Sequence, residues 1–310
     1  MAYRLERDES VIAGLKRVVR DEIESAGTHL SGGRKVTRDE AVHEARKSIK
    51  KVRATLRLVS AELGGAYPRE NARMRDIARR LSEFRDAFAL IATFDDLKKK
   101  YKDRTRNKLQ SVRAGLTRKM SLTGSEEDVG IVLDRAATAL SRAAKRVKAW
   151  PLQTDGFPAI GPGLEKTYRA GRKALARARK DPYPESFHEL RKRVKDHWYH
   201  IRLLEGLWTD MMRGYEKSLK DLETWLGNYH NLAVLREKIV AEPAFYGSRK
   251  DIDLVVDLID EYQKELRNRS LSLARRIYDE KPREFTRRME HLWDTWRREP
   301  EPLEESPTAA

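Results

Sequence analysis

Apolar positions recur at intervals of three and four along almost the whole chain, and alternation with a period of two is scarcely visible. The pattern predicts an all-α fold, its helices interrupted where Gly and Pro cluster: Ser31-Gly32-Gly33, Gly64-Gly65 to Pro68, Thr123-Gly124, Pro243 and Gly247. Start signals fall beside those breaks. Thr37-Arg38-Asp39-Glu40 reads as a capping box, in which hydroxyl and carboxylate reciprocally satisfy two orphan amides, while Ser125 to Asp128 and Ser248 to Asp251 each offer a side-chain cap with an acidic first turn. The longest interruption runs from Trp150 to Gly163, where Pro151, Gly156, Pro158, Gly161, Pro162 and Gly163 predict a linker between two units. Glu299 to Ala310, rich in proline and glutamate, is expected to be a disordered tail without a part in binding.

The chain repeats itself. At an offset of 145 residues, His43 to Val59 aligns with His188 to Leu204 without a gap, and seven of the 17 positions are identical. Those pairs are His43 with His188, Glu44 with Glu189, Arg46 with Arg191, Lys47 with Lys192, Lys50 with Lys195, Arg57 with Arg202 and Leu58 with Leu203. Most are polar, so shared hydrophobicity does not explain them. The same offset pairs Asp76 with Asp221, Leu81 with Leu226, Phe84 with Tyr229 and Leu90 with Leu235, which carries the register into a second helix. A duplication follows: two pseudo-symmetric halves of about four helices each, residues 1–150 and 151–298, with short loops between antiparallel neighbours.

Charge narrows the class of partner. The 65 Lys and Arg outnumber the 49 Asp and Glu, giving a formal net charge of +16 and a field that attracts nucleic acid, anionic lipid or another polyanion. Cysteine is absent from the sequence, which excludes disulfides and thiolate metal sites. Met1 to Glu9 carries charges at Arg4, Glu6, Arg7 and Asp8 where a secretory signal needs an apolar run, and no stretch approaches the roughly 20 apolar residues of a membrane span. A cytoplasmic protein without membrane insertion is expected.

Helical geometry concentrates the repeated cations. At roughly 100° per residue, His43, Arg46, Lys47, Lys50, Arg53 and Arg57 share an arc of roughly 120°, and Val42, Ala45, Ile49, Val52, Leu56 and Val59 form a separate apolar stripe. His188, Arg191, Lys192, Lys195, Tyr199 and Arg202 repeat the basic face. A face made only for solubility mixes signs, yet Ala45 to Ala61 holds six Lys or Arg and no acid. Like charges at i,i+4, such as Arg46 with Lys50, cost roughly 0.2–0.5 kcal/mol per pair, which an anion along the face would reverse. Arg75 and Arg79, with Lys217 and Lys220 at related places, are candidates for a second wall. Phe84-Arg85-Asp86 and Tyr229-His230-Asn231 match near a helix end, where Arg85 would reach a ligand. Protonation of His43 and His188 would tighten anion binding as pH falls through about 6.5.

Other chemistry has little support. His197 and His200 stand three apart but lack a recognisable third metal ligand. There is no phosphate-binding Gly-rich loop after a strand, no H-E-x-x-H and no nucleophile elbow. Phosphoryl transfer needs carboxylates to hold magnesium, and the basic stripes offer only Glu44, Glu189 and Asp196. No cofactor is implied. Trp225, Trp293 and Trp296 recur at helical spacing with Leu222 and Leu292 and are expected in the core. A single-stranded nucleic acid needs stacking platforms, and the basic faces carry only Trp198 and Tyr199, so nucleic acid is the second reading.

Ala41-Val42-His43-Glu44-Ala45-Arg46-Lys47-Ser48-Ile49-Lys50-Lys51-Val52-Arg53 resembles the first signature of the CHAD proteins, and Phe187-His188-Glu189-Leu190-Arg191-Lys192-Arg193-Val194-Lys195 resembles its second copy. Leu81 to Leu90 and Leu226 to Leu235 look like the paired motifs that follow. The resemblance runs from about Ser10 to about Arg298. It implies two four-helix halves about a pseudo-twofold axis, a basic surface or central channel that binds inorganic polyphosphate, no catalytic activity, and a place at polyphosphate or storage granules. It carries the ligand-binding role onto the basic residues of the two stripes, with Trp198 in place of Arg53 making the two walls unequal. Some members of that family carry a triphosphate-hydrolysing domain upstream, which the short segment before the first helix here does not accommodate.

Overall fold

A computed structural model of the chain describes residues 3–32, 37–82, 86–121 and 126–299. Among them every regular element is helical. The N-terminal part contains α1 (Val11–Leu30), α2 (Arg38–Leu58), α3 (Ser60–Leu63), α4 (Ala66–Arg80), α5 (Asp86–Lys100), α6 (Lys102–Thr105), α7 (Gln110–Ser121) and α8 (Glu126–Val147). A 3₁₀ turn, Phe157–Ala159, leads into α9 (Gly161–Lys180), α10 (Pro184–Leu203), α11 (Thr209–Ala241), α12 (Pro243–Tyr246), α13 (Arg249–Ile277) and α14 (Pro282–Arg298).

The caps read from sequence form where the structure describes them. The Thr37 hydroxyl accepts from the Glu40 amide at 3.3 Å while the Glu40 carboxylate accepts from the Thr37 amide at 2.9 Å. Ser248 accepts from the Asp251 amide at 3.2 Å. Ser125 and Thr123-Gly124 lie outside the described residues, as does the tail beyond Glu299. The expected break from Gly64 to Pro68 is narrower than the residues suggest. Gly64, with a φ of 46°, makes the turn alone, and Pro68 sits in the first turn of α4, where a missing amide costs nothing.

Val42, Ala45, Ile49, Val52, Leu56 and Val59 are all buried, as the stripe on α2 requires. Trp293 and Trp296 are buried with Leu222, and Trp225 is half-buried against the core with Arg269 4.3 Å from its ring. α1 packs on α2 and α8, and α2 on α4; α10 packs on α9 and α11, and α11 on α13. These long-range helix contacts follow the order expected of a duplication.

The two sets of helices are tied together at several levels. α2 packs on α9 and α10, α5 on α11, and α7 on α12 and α13. The His200 ring donates through Nε2 to the Ala54 carbonyl at 2.8 Å, and the Leu5 amide donates to the Leu203 carbonyl at 2.9 Å. The segment from Trp150 to Gly163 is not a loose tether. Trp150, Leu152, Phe157 and Ile160 are buried in it, Glu62 accepts from the Thr154 amide at 3.1 Å, and Asp155 accepts from the Val11 amide at 2.7 Å. Gly163 lets α9 lie directly on α2, since a Cβ there would stand 1.7 Å from the Leu58 carbonyl oxygen. The linker therefore fixes how the basic face of α2 meets the helices that follow.

Candidate functional site

Where α2 and α10 meet, they enclose a cleft of about 530 Å³. α2 contributes Arg46, Lys50, Arg53 and Arg57; α10 contributes His188, Arg191, Lys192, Arg193, Lys195 and Asp196; Ala89 of α5 and His230 and Asn231 of α11 complete the lining. Eight Lys or Arg thus face one acid. The four α2 cations are spaced four, three and four apart, which keeps them on one side of the helix while the apolar stripe goes inward.

Buried acids hold several of these cations in place. Arg57 pairs with Asp196 at 3.1 Å across the α2–α10 contact, and Glu223 of α11 takes Lys195 at 2.6 Å and Arg191 at 3.3 Å. Gly227 leaves room for the Arg191 guanidinium, because a Cβ there would stand 3.2 Å from it. Arg53 donates to the Asn71 side chain at 3.0 Å, and Arg46 reaches the Ala78 carbonyl at 2.6 Å, so both are braced against α4.

The crowding shows in the ionisation of the side chains. Burial, with Arg191 and Lys220 nearby, lowers Lys195 despite the attraction of Glu223. Burial and the neighbouring Arg57 likewise lower Arg53. Burial pushes the Glu223 carboxyl up, but Lys195, Arg191 and Lys50 bring it below the ordinary range. Burial leaves Asp196 raised against the pull of Arg57, Arg193 and Arg53. Cations held where the charged form is disfavoured gain from any anion that enters.

The remaining candidates from the sequence lie elsewhere. His43 and Lys47 stand beside Glu44, at 3.9 and 3.0 Å, outside the lining of the cleft. Arg75 and Arg79 sit on the exposed side of α4 near Asp76, at 3.4 and 4.0 Å. Lys217 pairs with Asp221 at 3.0 Å, and Lys220 lies 4.5 Å from the Trp198 ring. Tyr199 is corrected outright: it is buried, stacked on Trp198 with centroids 4.9 Å apart and edge-on to Tyr3. The same packing turns Arg202 toward Glu216 at 3.0 Å, away from the cleft. Arg85 lies outside the described residues. The repeat gives no sign of Arg193 and Asp196, because Ser48 and Lys51 stand at those positions in the other copy, while His230 lies in the segment matched to Phe84-Arg85-Asp86.

His188 and His230 form a pair in the cleft, with ring centroids 4.4 Å apart. Burial, then Lys192 and Arg191, lowers His188; burial, His188 and Arg191 push His230 down to about 4. The pH response expected near 6.5 therefore moves lower for His188, and His43 stands outside the lining of the cleft. An anion favours the protonated rings, so affinity rises as pH falls below the pKa values of the complex and levels off below those of the free protein. A binding titration should be flat between about pH 8 and 7 and tighten several-fold between about pH 6 and 5. His230→Asn should blunt the rise; an identical rise in that variant would remove the pair from the site.

A second depression, of about 550 Å³, shares Ala89 and Asn231 with the cleft and runs between α5 and α11 past Thr93 and Asn228 to Lys99 and Lys100. Among the described residues, no group of three or more His, Cys, Asp or Glu is placed to hold a metal ion. His197 and His200 are fully buried; His197 is ringed by Tyr168, Tyr215, Tyr278 and Phe285 at 5.4–5.5 Å.

The family model of the CHAD domain matches residues 18–240, well over half of the chain and all of the cleft. The chain belongs to the CHAD family. That family is non-catalytic. In overall shape the CHAD chain is similar to the crystal structure of the CHAD domain from the plant Ricinus communis, with a TM-score of 0.64 and 18% identity over 90% of this chain and 95% of that one. A comparison with curated proteins gives no match. None of the helices described is long and apolar enough to cross a membrane.

Proposed function

We propose that this CHAD protein binds inorganic polyphosphate, without acting on it, in the cleft between α2 and α10. The observation that carries the reading is the convergence of eight Lys or Arg from two copies of one sequence motif around a space that, among the described residues, has a single lining acid. Phosphate chains offer a regular row of oxyanions with no bases or sugars to accommodate, and bidentate guanidinium groups and ammonium ions suit such a row. The depressed ionisation of Lys195 and Arg53 supports the same reading, since a bound anion relieves it. The duplication makes two four-helix halves, 1–150 and 151–298, about a pseudo-twofold axis, so that each half supplies one wall. The protein is cytoplasmic and works at polyphosphate granules.

Nucleic acid is the competitor, and the aromatic residues argue against it. Trp198 and Tyr199, the two rings on the basic stripes, are buried, and among the described residues the cleft lining holds no Phe, Tyr or Trp on which a base could stack. A competition titration at about 0.15 M salt separates the two, because both ligands are salt-dependent and only direct competition removes that shared contribution. Long-chain polyphosphate should displace single- and double-stranded DNA at sub-stoichiometric phosphate. Equal displacement by all three polyanions would reduce the site to a nonspecific basic surface.

A further inference from the structure

A second basic surface lies away from the cleft. Between Lys166 and Lys180, α9 carries seven Lys or Arg and no acid, and between Leu266 and Tyr278, α13 carries four and no acid. That is the same one-signed composition that distinguishes α2. The two helices are in contact: Tyr168 donates to the Ile277 carbonyl at 3.0 Å, and Arg172 donates to the Asp279 carbonyl at 3.1 Å just past the end of α13.

Their basic runs open onto two overlapping depressions, of about 460 and 370 Å³, which share Ala176, Arg179 and Arg275. Lys180 and Leu271 line one end, and Arg172, Tyr278 and Asp279 the other. Arg179, Lys180 and Arg275 are exposed and, among the described residues, form no ion pair. Solvation alone would not bring unpaired cations from two helices to face one groove, since like charges at that range repel. The Tyr278 side chain, on a residue only 3% exposed, lines the inner end, and among the described residues its hydroxyl has no hydrogen-bond partner. Exposed guanidinium groups from two helices on one groove are suited to an oxyanion.

Part of this charge is particular to the second copy. At the 145-residue offset, Lys166 and Arg169 stand opposite Asp21 and Glu24 of α1, whereas Arg179 and Lys180 stand opposite Arg34 and Lys35. The groove between α1 and α8 is of mixed sign, with Arg20, Lys145 and Lys148 beside Asp21 and Glu24.

We infer that the groove between α9 and α13 is a second site for a linear phosphate anion, sharing no residue with the cleft. It takes its ligand class from the function proposed above. Two sites on one molecule let a long phosphate chain be held at two points, or two chains be bridged, with a gain set by effective concentration.

The test is calorimetric titration of the full chain with an inorganic polyphosphate too short to span both sites. Four proteins are compared: wild type, a cleft variant (Lys50→Glu with Lys192→Glu), a groove variant (Arg179→Glu with Arg275→Glu), and their combination. All four substituted positions are at least partly exposed, and thermal melts check that each variant folds. The expected result is two bound chains for wild type and one for the groove variant. In the cleft variant the residual site weakens on adding the groove substitutions, with a salt slope flatter by about 1.4 for two lost phosphate contacts. Unchanged stoichiometry and affinity in the groove variant would overturn the second site. So would a groove variant that loses binding only to phosphatidylserine vesicles, which would make this face a membrane contact. A cleft variant that binds like wild type would defeat the cleft reading instead, and the groove substitutions would still report on their own.

Discussion

Reversing Lys50 and Lys192 together is expected to weaken long-chain polyphosphate binding about a hundredfold at physiological salt. The two side chains line the same cleft from opposite helices, so both contact any chain lying along it. A hydrogen bond to a charged group contributes about 1.5 kcal/mol at the low end, and two of them correspond to roughly two powers of ten. The acid that pairs with Lys192, Glu189, is part-exposed, so reversing Lys192 leaves no buried carboxylate unpaired. Lys195→Glu would be a poorer choice, since it sets a second carboxylate beside buried Glu223 and would disturb folding for reasons unrelated to the ligand. Lys217→Glu is the matched control: Lys217 pairs with Asp221 at 3.0 Å and lines no part of the cleft, so the loss there should stay within about threefold, the reach of one screened charge. Equal losses for the cleft pair and for Lys217→Glu would mean that net charge, not the cleft, binds the polyanion.

Acid should unfold the protein early, with the melting temperature steady between about pH 8 and 7 and falling steeply below about 6.5. Burial, then His200 and Arg288, pushes His197 down to about 3, and burial pushes His200 down to about 4 against the opposing hydrogen bond to Ala54. The sign follows from which state takes up protons. Below the ordinary histidine value the unfolded chain binds a proton at each ring that the folded chain refuses, so stability is complete above that value and is lost as pH falls toward the folded one. Each ring contributes about 1.4 kcal/mol per pH unit, so the pair removes about 4 kcal/mol by pH 5, a large share of what holds an ordinary domain together. His197→Phe keeps an aromatic group among Tyr168, Tyr215, Tyr278 and Phe285 and should remove about half of the slope. A slope unchanged in that variant would assign the acid sensitivity to the carboxylates.

The helical class and the cations of α2 were legible because both rest on local spacing. Apolar residues at three and four leave the polar face at fixed angles, and Arg46, Lys50, Arg53 and Arg57 fall on it whatever surrounds the helix. The second wall was legible only in its first three turns. Past Asp196, α10 turns Trp198 and Tyr199 inward against Tyr3, a residue more than a hundred positions away, and Arg202 follows them to Glu216. Nothing in the repeat signals that contact, because Ala54 stands where Tyr199 does in the first copy. Identity between copies also misled in the other direction. It passed over Arg193, whose counterpart Ser48 is buried in α2, although Arg193 faces the cleft. Glu223 escaped notice for a different reason: an isolated glutamate on a long helix gives no sign that two cations will close over it.

The packing of α5 on α11 and of α7 on α12 and α13 has a bearing on how the chain is made. Roughly 110 residues separate the end of α5 from the start of α11, and at ordinary rates of synthesis that is on the order of 10 s of waiting. During that interval Phe94 and Leu97 of α5 and Val112 and Leu116 of α7, all buried in the finished protein, have each other's helix to pack on but not yet α11, α12 or α13. The nascent chain is then a client for holdase chaperones, and the interlocked helices, not the cleft, set the pace of its maturation.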